Sequence, residues 1–205
     1  MDGRLDDRDR WIVPLSLAAS FLANDGEELL TMAPTFQKTL DALPSWLRLP
    51  LPRDLDQRHV NVGIAMMGGL CVAAVANGIR TRGRGRLYQD FQWLFGLHGF
   101  GHLLAATAAR RYTTGSATSP LVVIPQLIYA LRALHRAGVP RTMRPLRAMG
   151  VLGGWLVLSH VMGAVVSSHL RKRDDEQRPG VNPHRGTPGG KDCGLHQRLP
   201  QCLIF

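Results

Sequence analysis

The chain has 205 residues, enough for one small helical bundle, and a formal net charge of +10. The arginines sit in short loops between uncharged runs, not along one folded stripe, which excludes a nucleic-acid-binding protein. Three scattered cysteines, Cys71, Cys193 and Cys202, exclude a disulfide framework and a cysteine-ligated metal.

Residues 1–10 carry four Asp and three Arg and are expected to form a solvated, mobile polar segment. The apolar segment from Trp11 to Ala23 is too short to cross a bilayer core, which takes about 20 helical residues. Continued through Met32, the helix reaches spanning length. It then carries Asp25, Glu27 and Glu28 towards one membrane face, with Trp11 as the aromatic anchor at the other. The alternative is a half-spanning or interfacial helix that ends near Asp25. Residues 34–59 read as a long connection, because Pro44, Pro50 and Pro52 forbid a continuous helix. Leu43, Trp46, Leu47, Leu49 and Leu51 make it amphiphilic, so a short helix lying on the membrane surface is expected there.

Between Gln57 and Leu170 the only carboxylate is Asp90. Residues 60–79, 91–109, 112–131 and 148–170 contain no Asp, Glu, Lys or Arg. Each is long enough to span a bilayer as helix. The second helix is rich in glycine, at Gly63, Gly68 and Gly69, and the fifth at Gly150, Gly153, Gly154 and Gly163. These read as positions of close backbone approach. Pro125 is expected to kink the fourth helix, whereas Pro120 falls near its first turn. Residues 171–205 are rich in Gly, Pro, Arg and His and are expected to be a disordered basic tail. Its last four residues have the form of a prenylation box, but lipidation is not expected.

The reading is an all-α polytopic membrane bundle of about five transmembrane helices over 11–170. Before the tail is counted, the N-terminus and the loops at 80–86 and 132–147 hold the excess of Lys/Arg. The N-terminus is therefore placed in the cytoplasm, with the protein in the cell membrane. The lipid bilayer is the expected partner, and a homo-oligomer or a membrane partner protein is compatible with the glycine-rich helices. No nucleic acid is expected.

Acids at membrane depth are costly, so the first helix is where function is sought. Asn24, Glu27 and Glu28 lie at i, i+3 and i+4 and share one helix face. His98 and His102 lie at i, i+4 on the third helix, and His160 is near the middle of the fifth. Glu27, Glu28, His98, His102 and His160 are therefore candidates to converge in one polar pocket. Carboxylates with imidazoles suit a divalent metal, zinc or iron, and equally suit a proton relay. The bland alternatives stay open: acids solvated where a helix emerges or paired with arginine, and neutral histidines bonded to carbonyls or to each other.

Residues 24–32, Asn-Asp-Gly-Glu-Glu-Leu-Leu-Thr-Met, resemble the signature of the HXXEE family of bacterial membrane proteins. The segments Gly96-Leu97-His98-Gly99-Phe100-Gly101-His102 and 112–123 add to the resemblance, which covers roughly 11–170. It implies the membrane class and the pocket residues and supplies no reaction. The signature histidine is Asn24 here, a poor metal ligand. The sequence therefore favours a non-catalytic transporter-like or partner protein. The alternative is a membrane-embedded metal-dependent enzyme using Glu27, Glu28, His98 and His102.

Overall fold

A computed structural model describes residues 3–45 and 55–177. The described residues contain five α-helices and no strand. They are α1 (Asp9–Ala42), α2 (Gln57–Arg80), α3 (Arg86–Ala109), α4 (Ile124–Arg136) and α5 (Pro145–Glu176). A π-helical turn, Ser119–Val123, leads into α4.

The helices alternate in direction between two ends of the bundle. At one end, the Leu5 amide donates to the Arg82 carbonyl and Asp7 pairs with Arg82 at 2.7 Å. There too the Gln89 side chain bonds Gly83, Pro140 and Thr142. At the other end, Gln57 donates to the Leu29 carbonyl, Asp56 accepts from Ser167, and Arg58 pairs with Asp174. The N-terminal segment and the end of α5 thus lie at opposite ends.

Several expectations shift. The N-terminal decapeptide is not wholly solvated, because Leu5 is fully buried in the main core cluster. Helix α1 does not stop before Pro34 but continues to Ala42. Threonine hydroxyls flank that proline and bond back to helix carbonyls: Thr31 to Glu27, Thr35 to Thr31, and Thr39 to Thr35. The surface helix expected from Trp46, Leu47, Leu49 and Leu51 lies outside the described residues. The tail does not begin at Arg171, since α5 runs to Glu176, and residues 178–205 lie outside the described part. Pro125 does not kink a helix interior. It follows directly on the π turn, with helical backbone on both sides, so the irregularity of this helix lies in the turn before the proline.

Of the expected spans, two, α2 and α5, are long and apolar enough to cross a membrane by length and composition. The others are interrupted by polar groups or short: α1 by Asn24, Asp25, Glu27 and Glu28, α3 by Gln89, Asp90 and Gln92, and α4 by its 13 residues.

The exterior is nonetheless strongly apolar. Leu22, Leu30 and Leu121 are exposed by 72%, 77% and 76%. The interior holds an apolar cluster and, beside it, several paired polar groups. Gln92 and Gln126 exchange two amide bonds at 2.8 and 3.0 Å. Asp90 is clasped by two nitrogens of Arg147 at 2.8 and 2.9 Å. The single carboxylate of the long acid-free stretch therefore fixes the start of α5.

Candidate functional site

The site forms where α1 faces α3. Glu28 is buried, and its Oε1 lies 2.8 Å from His102 Nε2 and 3.1 Å from His98 Nε2. The two Nε2 atoms are 2.8 Å from each other, with the imidazoles edge to face. The i, i+4 spacing on α3 brings both rings over the same turn of α1. Each neutral imidazole has one ring N–H, so two protons can satisfy at most two of these three contacts. One cation between them would satisfy all three. A tetrahedral zinc with ligands at about 2.0–2.1 Å holds its donors roughly 3.3 Å apart, close to the spacing here. Glu28, His98 and His102 are therefore close enough to hold a metal ion.

Neighbouring residues fix these side chains. The Asn24 amide nitrogen donates to Glu28 Oε1 at 2.9 Å, and its oxygen accepts from the Thr118 hydroxyl at 3.1 Å. Asn24 is fully buried. Behind His102 stands Gly115, with φ +73; a Cβ there would lie 2.6 Å from the imidazole Nε2. Only glycine gives both the left-handed turn and room for that ring.

The adjacent glutamates divide their roles. Glu27 does not enter the Glu28–histidine cluster. It fastens the loop between α3 and the π turn, accepting from the Tyr112 hydroxyl at 2.6 Å and from the Thr118 and Ala117 amides at 2.8 and 3.3 Å. Thr31 adds a bond to Thr114 in the same loop. Glu27 thereby holds the segment that carries Gly115 against His102.

His160 also stays apart from the cluster. Its Nδ1 lies 3.0 Å from Nε2 of His59 on α2. Both rings face a cavity of about 450 Å³ enclosed by α1, α2, α3 and α5, whose wall also includes Asp25, Glu28 and His98. The rest of that wall is mainly apolar, with Phe21, Met67, Phe95 and Leu152 among it. Gly163 makes room for His59, because a Cβ there would meet its ring at 2.7 Å. Gly63 and Gly153 also line the cavity, but no atom comes within 4 Å of a Cβ at either. They are openings in the wall, not the close contacts expected of them.

Sequence reasoning brought Glu28, His98 and His102 together. It missed His59, Gly115, Thr118 and the cavity-facing role of Asp25. His59 carries no sequence signal, since it lies at the start of α2 and far from His160 in the chain. Gly115 and Thr118 lie in the segment 112–123, whose family resemblance was the available clue.

An all-helical protein with a carboxylate and two imidazoles meeting across two helices is the class that fold and site define. Over residues 15–130 the chain matches the family described as protein of unknown function with HXXEE motif. That is more than half of the chain, and the chain belongs to this family. Its motif reads Asn24, two residues, Glu27 and Glu28, with asparagine in the histidine position. No curated protein and no solved structure matches it.

Proposed function

We propose that this protein is a multi-pass membrane protein that holds a divalent transition-metal ion, zinc or iron, between Glu28, His98 and His102. The observation that carries the reading is the triangle of donor atoms at 2.8–3.1 Å, whose three contacts two ring protons cannot satisfy. Three protein ligands leave a zinc position open, the arrangement of reactive rather than purely structural zinc. Glu28 and His98 also line the cavity, so that position is reachable from it. This favours a metal-dependent enzyme, in which the ion polarises a bound oxygen, over the non-catalytic class to which the loss of the signature histidine points.

The membrane part rests on other observations. Large apolar side chains cover the outside, while paired amides and the Glu/His cluster are placed inside beside the apolar core. The helices alternate between two ends. A bilayer solvates the first feature and requires internal partners for the second.

Metal analysis of the full chain purified in mild detergent tests the reading. One equivalent of zinc or iron per chain is expected. It should be lost in Glu28→Gln and in His98→Ala/His102→Ala, with helicity retained. A folded wild-type protein that takes up neither ion overturns the proposal. A second reading, a proton relay, is favoured by the two histidine pairs, His98/His102 and His59/His160, of which His98, His59 and His160 line the same cavity. It would be left standing by that result.

A further inference from the structure

The cavity beside the triad has features of a ligand site in its own right. Its volume of about 450 Å³ lies within the range of small-molecule pockets. The lining is apolar along most of its length and polar where Asp25, Glu28 and His98 meet. Leu97, Met149 and Leu156 line it and are also exposed on the outer surface, so its mouth opens sideways through the apolar exterior. A ligand entering there comes from an apolar phase.

The polar end narrows the choice of head group. Asp25 is buried, and among the described residues its hydrogen-bonding neighbour is the Asn24 amide at a long 3.5 Å. Asn24 spends its donors mainly on Glu28, at 2.9 Å. The Asp25 carboxylate thus lacks a strong donor and borders the cavity. A buried acceptor in this state is completed by a ligand that brings an O–H or N–H. Two carboxylates, Asp25 and Glu28, balance the two charges of a divalent ion, so a neutral head fits better than an anion.

We propose that the cavity binds a single-chain amphiphile with a hydroxyl head, the oxygen beside the Glu28–His98 corner, the O–H donated to Asp25, and the chain against Phe21, Met67 and Phe95. The inference rests on the metal reading above for the charge balance at the head. Gly63 and Gly153 supply a way to test the chain position separately. Both line the cavity and have no atom within 4 Å of a Cβ, so the larger side chain of leucine at the two positions should reduce the space left for a chain.

The experiment measures saturable binding of radiolabelled dodecan-1-ol and dodecanoate to the zinc-loaded full chain in detergent micelles. Gly63→Leu/Gly153→Leu provides the background, since it shares the micelle but not the cavity. Wild type should bind about one dodecan-1-ol per chain, roughly tenfold more tightly than dodecanoate, because a site built for a donor rejects a head that lacks one. The filled variant should lose this binding and keep its zinc. Asp25→Asn, which adds no bulk, should keep zinc and narrow or reverse the preference for the alcohol. Equal dodecan-1-ol binding in wild type and the filled variant, with zinc present in both, overturns the cavity assignment and leaves the metal reading intact. An unchanged preference in Asp25→Asn overturns the head assignment. Failure of wild type to hold zinc overturns the metal reading and this inference with it.

Discussion

Asn24 and Gly115 shape the Glu28–histidine cluster without either being part of it. Asn24 donates to Glu28 and accepts from Thr118, so it orients the carboxylate and ties α1 to the loop. Asn24→His puts an imidazole one helical turn from Glu28, where it can serve as a fourth ligand. Imidazole is a far better donor than an amide for zinc or iron. The expected result is slower metal loss to a chelator. The metal-free protein should be less stable by roughly 1–3 kcal/mol, because the larger ring enters a closed site. Chelator competition and melting of the stripped protein measure the two effects. Equal metal retention would show that position 24 only packs. Gly115→Ala works in the opposite direction. Its Cβ would collide with the His102 ring, and its φ of +73 strains any side chain. The substitution should cost about 1–3 kcal/mol and weaken metal binding, whereas Gly101→Ala, which has open space on the same helix as His102, should leave binding unchanged. Metal titration of the two variants side by side decides this.

At the scale of the elements, a single side chain, Asp56, sets the start of α2. Asp56 caps it, accepting from the His59 amide at 2.9 Å and from the Ser167 hydroxyl of α5. Partial burial alone would raise the Asp56 carboxyl; the Ser167 hydroxyl and the His59 amide outweigh it and hold the group below its ordinary value of 3.8. A carboxyl lowered in the folded state contributes stability that is fully present above the unfolded value. The contribution is lost as pH falls through the lowered folded value. Asp56→Ala should therefore cost about 1 kcal/mol at neutral pH, as for a lost helix cap. The gap between wild type and variant should close below about pH 4, as the cap protonates in the wild type. Melting curves across that pH range check the sign. A gap that widens in acid would show that Asp56 does not act as a charged cap.

At the scale of the whole molecule, the alternation of five helices predicts an odd number of crossings. The N-terminal segment packs at the end that holds Arg82, while α5 finishes beside Arg58 at the other. Tags placed at the two termini should therefore be accessible from opposite sides of sealed vesicles, with the N-terminus cytoplasmic as the loop arginines favour. Accessibility of both tags from one side would remove the five-crossing topology. The polar groups of the interior make a related demand. Asp90, Gln92 and Gln126 have partners on other helices, so in a bilayer these groups would be tolerated only inside the assembled bundle.

The sequence by itself determined the helical class, the approximate place of each helix, and the shared face of His98 and His102 on α3. These follow from local rules: charge-free length sets a helix, and i, i+4 spacing puts two imidazoles on one face. Family resemblance added the segment at 112–123. What the sequence left undecided lay between elements. Adjacent glutamates look equivalent in a chain, yet Glu28 turns to the histidines and Glu27 to the Tyr112 loop, because consecutive helical residues point in different directions. His160 looked like a third imidazole for the cluster and instead meets His59, a pairing that exists only because α2 and α5 pack together. Residue 34 read as the start of a connection, yet α1 continues to Ala42. Glycines that read alike divide into Gly163, which admits a ring, and Gly63 and Gly153, which border empty space. Spacing along one helix is fixed by the backbone, but which side chain meets which across two helices is fixed by packing, and only the tertiary structure supplies that.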